Sequence, residues 1–165
     1  MMKLFRLIVA ALVIISASTA PVSAADEPML TISGNVSKMA TGGVVSLSRA
    51  DFEAMPKTSF ATTTIWTEGK PNFTGVALVD LMDAIGAKGS KLRMTALNDY
   101  SIEVPLSDAI VGGPIVAYQI DGMPMSVRDK GPLWLVYPYD NNADYRTETI
   151  YSRSIWQLNR LEVIE

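Results

Sequence analysis

The sequence predicts an α+β domain that is rich in short β-strands and contains a few short helices. Many short runs alternate apolar and polar side chains or carry residues typical of buried strands, and turn residues separate them. A few other runs have helical spacing of apolar residues and capping residues at their ends. No internal repeat or low-complexity linker divides the chain, so we expect one shared core.

Residues 1–25 are expected to form a secretory signal peptide. Lys3 and Arg6 give a positive start, residues 7–15 are an unbroken apolar run, and residues 22–25 are small enough for cleavage. A helix that spans a bilayer needs about twenty residues, so a permanent N-terminal anchor is the less favoured alternative. We therefore expect a single domain at residues 26–165, located in the periplasm or secreted, with no stable membrane insertion after cleavage.

The composition excludes several classes of site. The chain has no cysteine and no histidine, which removes the usual zinc, copper, haem and iron–sulfur ligands, cysteine nucleophiles and histidine-based triads. Its formal net charge is −3, and removal of Lys3 and Arg6 with the signal would make it more negative. Without clusters of basic residues it is a poor candidate for binding nucleic acid.

The predicted strands follow one another from residue 29 to the C-terminus. Residues 29–36 alternate apolar and polar side chains, and residues 59–66 are rich in threonine and aromatic residues. The tight turn Asn98–Asp99 joins two strands into a hairpin. The strands are predicted at residues 29–36, 44–47, 59–66, 91–97, 100–104, 114–121, 133–137 and 161–164, the last at an edge of the sheet.

Three helical segments lie between these strands. Ser48 is predicted to be the N-cap of a helix at residues 50–55, with Asp51 able to face the free N–H groups. Residues 75–86 predict the clearest helix, which one glycine opens and a second glycine caps. Residues 105–109 form a turn of helix led by proline. The apolar face of the clearest helix consists of Val76, Leu78, Val79, Leu81, Met82 and Ile85.

Residues 129–140 are the most unusual segment, because aromatic residues and two prolines flank a buried strand and charges lie at both ends. This pattern predicts a pocket wall, and the alternative is that Trp134 and Tyr137 are core residues. Asp99 beside Tyr100 is a candidate acid–base pair, although a turn aspartate more commonly satisfies its own backbone. The candidate ligand-binding residues are Trp66, Asp99, Tyr100, Arg128, Lys130, Trp134, Tyr137, Tyr139 and Asp140.

A second group of aromatic and charged residues follows in the loops. Aromatic rings beside arginines commonly form the mouth of a small-molecule or peptide site, and the alternative is a solvated loop packed on its neighbours. Residues 140–144 carry oxygen ligands but lack the spacing, glycine and terminal glutamate of a calcium loop, so calcium is not expected. The group contains Tyr139, Asp140, Tyr145, Arg146, Tyr151, Arg153 and Trp156.

A set of short motifs occurs in a fixed order along the chain. They are S-x-x-D-F at residues 48–52, G-V-x-L-x-D-L at 75–81 with a closing glycine at 86, D-Y-x-x-x-x-P-L at 99–106, A-Y-x-x-D-G-x-P at 117–124, and G-P-L-x-L-V-x-P at 131–138. In this order they resemble the motifs of sulfite-oxidase-type molybdopterin-binding domains. The resemblance implies that family's β-rich fold and, where the site is intact, molybdopterin-dependent oxidoreductase chemistry.

The sequence departs from this family at the positions that would carry the chemistry. The family's molybdenum-ligating cysteine would fall near residues 65–66, and the chain has no thiolate to place there. Trp134 replaces an arginine of the family, and Lys130 or Asp129 stands where a histidine is common. The resemblance implies that a bound pterin would rely on backbone groups, with Lys130 and Arg128 contacting its phosphate.

Three functions are compatible with these observations. The first is a cofactor-less module that binds a small molecule or a periplasmic or membrane receptor protein. It is favoured because no soft ligand for molybdenum is present. The second is a molybdopterin-dependent oxidoreductase that binds its cofactor without a cysteine. The third is a structural or assembly protein without a functional pocket.

Overall fold

The computed structural model of the protein describes residues 27–165, in which ten strands and three α-helices enclose one hydrophobic core. The expected signal peptide at residues 1–25 lies outside the described residues. The strands are β1 (Pro28–Gly34), β2 (Val45–Ser48), β3 (Lys57–Ala61), β4 (Asn72–Ala77), β5 (Lys91–Ala96), β6 (Ser101–Pro105), β7 (Ile115–Ile120), β8 (Met123–Pro124), β9 (Trp134–Val136) and β10 (Leu158–Ile164). The helices are α1 (Arg49–Ala54), α2 (Leu78–Ile85) and α3 (Glu148–Arg153).

The strands form two five-stranded sheets. The first has the order β2–β1–β10–β5–β6, and the second has the order β3–β4–β7–β8, with β9 also pairing with β7. The pairing of β1 with β10 is parallel, and the other pairs are antiparallel. The sheets are mostly antiparallel, and the helices between their strands are few and short. The predicted α+β class is therefore confirmed.

The last strand does not lie at a sheet edge, so that prediction is wrong. Strand β10 begins at Leu158 and lies between β1 and β5, where Leu161 pairs with both Ile32 and Met94. Its side chains Leu158, Leu161 and Val163 are buried in the core. The alternation of β10 identifies a strand with one buried face, but it contains no information about which neighbours the strand will find.

The clearest helix begins three residues later than the sequence predicted. Residues 75–77 extend β4, where Gly75 pairs with Ala117 and Val76 pairs with Val116. A Cβ atom on Gly75 would lie 2.2 Å from the Val116 carbonyl oxygen, so a glycine is required for this close approach. The predicted end of the helix is confirmed, because Gly86 adopts the left-handed cap conformation with φ 61° and ψ 49°.

The predicted cap of the first helix is confirmed. Ser48 precedes α1 and its Oγ accepts a hydrogen bond from the Asp51 N–H, while the Asp51 carboxylate accepts from the Ser48 N–H at 2.7 Å. The side-chain hydrogen bond from Ser48 lowers the pKa of Asp51 below its ordinary value. Phe52, in the middle of this helix, packs edge-on against Tyr118 of β7 and so joins α1 to the second sheet.

The strand predicted at residues 59–66 ends early, at Ala61, and the following residues form an irregular loop. In this loop, hydrogen bonds made by threonine residues take the place of the backbone hydrogen bonds between strands. Thr62 Oγ1 accepts the Asp140 N–H, and Thr63 donates its N–H and Oγ1–H to the Asp140 carboxylate. Thr64 Oγ1 accepts the Trp66 N–H at 3.0 Å. These bonds turn the chain away from the sheet and place Trp66 beside residues of the C-terminal region.

The core contains buried residues from both sheets in one continuous cluster. Leu30 and Leu92 come from the first sheet, Phe73 and Val116 come from the second, and Leu81 comes from α2. Within residues 27–165, each helix is too short to cross a lipid bilayer.

Candidate functional site

An open cleft of about 520 Å³ lies between the loop after β3, the end of the β5–β6 hairpin, and α3 with the residues that follow it. Most of its lining is aromatic or aliphatic. The ring-bearing side chains that line it are Trp66, Tyr100, Tyr151 and Trp156, and the aliphatic ones are Ile65, Ala96 and Ile155. The polar lining residues are Asn98, Glu148, Ser152 and Ser154. We call this space the aromatic cleft.

Trp66 is the centre of the aromatic packing around the cleft. Its ring makes edge contacts with Trp156, Tyr151, Trp134 and Tyr139 at centroid distances of 5.5, 5.7, 5.8 and 6.4 Å. Edge-to-face pairs of this kind are favourable beyond the area they bury. The chain has three tryptophans, and all three therefore belong to this one cluster.

Trp134 supports the cleft from beneath. Its side chain is fully buried, its indole N–H donates to the Ser154 carbonyl at 3.0 Å, and its ring stands perpendicular to Phe73 at 5.4 Å. It does not belong to the lining residues. In the described structure Trp134 is a core residue that fixes the position of Trp66 and Trp156, which matches the alternative considered for it from the sequence.

Tyr137 and Tyr139 are also buried, and both hydroxyls have partners. The Tyr137 hydroxyl donates to Asp108 Oδ2 at 2.7 Å, and Arg153 Nη1 donates to the same oxygen at 3.0 Å. Burial, followed by the hydrogen bond to this carboxylate, raises the pKa of Tyr137 far above its ordinary value. The Tyr139 hydroxyl donates to Ser154 Oγ at 2.6 Å, and burial raises its pKa to about 12. Both tyrosines therefore hold α3 in place as neutral hydroxyls.

Asp140 anchors the loop that carries Trp66. Its carboxylate accepts two hydrogen bonds from Thr63 and lies 3.1 Å from the Lys70 ammonium. The side-chain hydrogen bond from Thr63 is the main reason that the pKa of Asp140 is lowered to about 2. Asn142 Oδ1 accepts the Asp144 N–H as a turn cap. These oxygens hold the backbone, and residues 27–165 contain no group of three acidic side chains suited to a metal.

Asp99 and Tyr100 point to different partners. The predicted turn is confirmed: Asp99 has φ 66°, and Asn98 Oδ1 accepts the Tyr100 N–H at 3.1 Å. The Asp99 carboxylate is paired with Arg160. Tyr100 is half-exposed and lines the cleft. The structure therefore does not bring these two side chains together in the cleft.

Arg128 and Lys130 lie on the turn before β9 and are not among the cleft residues. Arg128 is exposed to solvent. The Lys130 ammonium lies 5.5 Å from the centroid of the Trp134 ring, and the Lys130 carbonyl accepts the Gln157 N–H. The structure thus places Lys130 beside the buried tryptophan of the cluster, outside the lining of the cleft.

The second group of predicted residues is divided between the cleft and its support. Tyr151 and Trp156 line the cleft, whereas Tyr145 packs against Tyr137 at 5.4 Å. The sequence interpretation did not include Glu148, which α3 brings to the cleft. The cap residue before that helix was the available signal, because Thr147 Oγ1 accepts the Ile150 N–H.

The lining of the cleft does not fit a molybdenum cofactor. The chain has no cysteine, and Ile65 and Trp66, near which the resemblance implies the ligand, give the cleft an aliphatic and an aromatic side chain. Among the described residues that line the cleft, Glu148 is ionisable as a carboxylate and none is a lysine or arginine. The cleft thus offers neither a sulfur ligand for the metal nor a cation for the pterin phosphate.

The chain is similar in structure to a crystal structure of the sulfane dehydrogenase SoxCD from Paracoccus pantotrophus. The TM-score is 0.64 at 18% sequence identity, and the alignment covers 88% of this chain and 40% of that one. The chain therefore corresponds to less than half of that protein's length, and at this identity the similarity shows the shared fold alone. A comparison with curated protein sequences gave no match.

The sequence itself matches the family model described as the oxidoreductase molybdopterin binding domain over residues 18–141. This range contains every motif that suggested the resemblance and also Ile65, Trp66 and Tyr100 of the cleft. Glu148, which lines the other side of the cleft, lies beyond it. Because the match covers most of the sequence and the fold agrees, the chain belongs to the oxidoreductase molybdopterin binding domain family.

Proposed function

We propose that this domain is a periplasmic ligand-binding module that works without molybdenum and binds a small molecule in the aromatic cleft. The observation that carries the proposal is the identity of two residues. Ile65 and Trp66 stand near the position at which the family has its metal-ligating cysteine, and both line the cleft. A site that binds a metal in the family would here be a site for an organic ligand.

The size and construction of the cleft support this function. A volume of about 520 Å³ is within the range of small-molecule sites, which are mostly apolar with a few polar groups. The walls are held by independent contacts: Thr64 accepts the Trp66 N–H, and Tyr139 bonds Ser154 at the end of α3. A site with walls positioned in this way loses little entropy when a ligand binds.

The proposed role in the cell is sensory. A periplasmic or membrane receptor protein would distinguish the ligand-bound domain from the free one. The residues that line the cleft come from three separate segments, so an occupant would contact the loop after β3, the β5–β6 hairpin and α3 together. A ligand that bridges three segments can stabilise one arrangement of them, which is what a receptor would recognise.

Binding of N-phenyl-1-naphthylamine, a neutral fluorescent probe, tests this proposal on the purified protein. The three tryptophans lie in one cluster at the cleft, so a bound probe should accept energy from them and quench their emission. Tyr100→Ala removes a half-exposed cleft ring and should weaken binding about fivefold. Met123→Ala removes an exposed apolar side chain outside the cleft and serves as the matched control. Equal binding by both variants, or no saturable binding, would contradict the proposal.

A further inference from the structure

The aromatic cleft combines ring faces with a single kind of charge. Four aromatic side chains line it, and within the described part of the chain its one ionisable acidic residue is Glu148, with no basic residue in the lining. The face of an aromatic ring carries partial negative charge, so rings and carboxylate attract the same kind of ligand. An anion would face both without a compensating partner, and its transfer from water would be unfavourable.

The rings that line the cleft are set nearly perpendicular to one another. The planes of Trp66 and Tyr151 are 84° apart with centroids separated by 5.7 Å, and those of Trp66 and Trp156 are 73° apart at 5.5 Å. Nearly perpendicular rings form a corner. Tyr100 lines the same cleft and is half-exposed, as is Trp156 to a smaller degree. The cleft that these rings line is open to solvent and has the volume to receive a compact group.

Three cations of the protein near this region are paired with carboxylates, and Lys130 lies over Trp134, which does not line the cleft. Arg153 follows Ser152 of the lining, but its guanidinium is paired with Asp108. Arg160 is paired with Asp99, and Lys70 is paired with Asp140. None of these three belongs to the residues that line the cleft. In the part of the chain that the structure describes, no lysine or arginine lines the cleft beside its rings, so the rings can contact the cation of a ligand.

We propose that the aromatic cleft binds an organic cation that carries a quaternary or extensively methylated ammonium group. The proposal rests on the proposed ligand-binding function and specifies its ligand class. Methyl groups spread the positive charge over an apolar surface that fits against ring faces, and a quaternary group has no N–H that requires a hydrogen-bond acceptor. Glu148 adds a Coulomb attraction at the rim of the cleft.

Choline and its neutral isostere 3,3-dimethylbutan-1-ol test the proposal most simply, because they differ in charge and hardly in shape. Titration calorimetry of each into the purified protein gives the two affinities, and the emission of the tryptophan cluster reports whether the cleft is occupied. We expect choline to bind at least about tenfold more tightly than the isostere. Equal affinities, or no heat from choline, would overturn the proposal.

Charge-neutral variants separate the attraction of the carboxylate from that of the rings. Glu148→Gln should weaken choline severalfold and leave the isostere unaffected. Asp83→Asn removes the same charge from an exposed residue of α2 outside the lining and is the matched control. Trp156→Ala should abolish the preference for choline over the isostere, with thermal unfolding used to show that this variant is folded. A preference that survives Trp156→Ala would overturn the assignment to this cleft.

The same ammonium group occurs in free solutes and in lipid headgroups, and vesicles distinguish these sources. Cosedimentation with phosphatidylcholine vesicles, but not with phosphatidylglycerol vesicles, would identify a headgroup. Choline binding without cosedimentation would identify a free solute, and both results support the cation. Saturable binding of N-phenyl-1-naphthylamine without selectivity for choline would reject the cation and leave the ligand-binding function intact. If neither choline, the vesicles nor N-phenyl-1-naphthylamine binds, both the cation and the ligand-binding function are rejected.

Discussion

Trp66 packs its ring edge-on against Trp134, with centroids 5.8 Å apart and planes at 69°. The resemblance to the family implies that its metal-ligating cysteine would fall near Trp66 and one of its arginines at Trp134. The resemblance thus implies that two indoles in direct contact stand where the family has a metal ligand and an anion-binding group. This pair joins the aromatic lining of the cleft to its buried aromatic support.

Replacement of Trp134 should destabilise the fold much more than replacement of Trp156. Trp134 is fully buried and its indole N–H bonds Ser154, whereas Trp156 is 37% exposed. Trp134→Ala should lower the free energy of unfolding by about 3–5 kcal/mol, because it leaves a cavity and an unpaired carbonyl. Urea denaturation measures both variants. Similar losses for the two would contradict the assignment of Trp134 as support and Trp156 as wall.

The stability of the domain should fall at alkaline pH because of two buried tyrosines. Burial raises the pKa of Tyr139 to about 12 and raises that of Tyr137 as well, while both ionise near 10 in the unfolded chain. Between pH 10 and 12 the unfolded state loses these protons and the folded state keeps them, so the free energy of unfolding decreases as the pH rises. Below pH 10 the contribution is fully present.

Measurement of unfolding between about pH 8 and pH 11 checks this prediction, with Tyr139→Phe as the informative variant. Phenylalanine keeps the buried ring but does not ionise, so the variant should be less stable at neutral pH and less sensitive to alkali. Tyr100→Phe is the matched control, because it removes the same hydroxyl from a half-exposed ring. An unchanged pH dependence in Tyr139→Phe would show that another group causes it.

Asp140→Asn should loosen the loop that carries Trp66. The Asp140 carboxylate accepts two hydrogen bonds from Thr63 and pairs with Lys70, and the amide keeps the shape but loses the charge. Amides at residues 62–70 should exchange hydrogen faster, while those of β10 should not change. The lowered pKa of Asp140, about 2, predicts the same loosening in the wild type as the pH falls from about 4 through 2. Faster exchange throughout the sheet would contradict a local role.

Gly75→Ala should disrupt the pairing of β4 with β7. The added methyl group would lie 2.2 Å from the Val116 carbonyl oxygen and 2.6 Å from the Ala117 Cα, and both are backbone atoms that cannot move independently. We expect a loss of more than about 2 kcal/mol in the free energy of unfolding. Gly122→Ala is the comparison: no atom crowds its Cβ, but its φ of 78° gives a strain of about 1–2 kcal/mol. A larger loss of stability in Gly122→Ala than in Gly75→Ala would reject this explanation.

The sequence predicts features that depend on neighbouring residues. Ser48 with Asp51 defines the start of α1, Gly86 defines the end of α2, and Asn98–Asp99 defines a hairpin, because capping and turn geometry are local. The family motifs add the fold class, which the structural similarity confirms.

The features that the sequence did not predict depend on distant partners. The central place of β10 follows from its pairing with β1 and β5, and the strand conformation of Gly75 follows from its contact with β7. Trp66 and Glu148 both line the cleft although they lie far apart in the chain. The hydrogen bonds from Thr63 to Asp140 position the loop of Trp66, and α3 positions Glu148. Local patterns identified most of the aromatic residues here but not which rings would be exposed.

The molybdenum content of protein exported to a molybdenum-replete periplasm tests the central claim most directly. Mass spectrometry of the intact, freshly purified chain gives the ratio of metal to protein without any assumption about a reaction. Because Ile65 and Trp66 offer the metal no sulfur ligand, we expect molybdenum far below one atom per chain. One tightly bound molybdenum atom per chain would contradict the account and would mean that the domain binds its cofactor without cysteine.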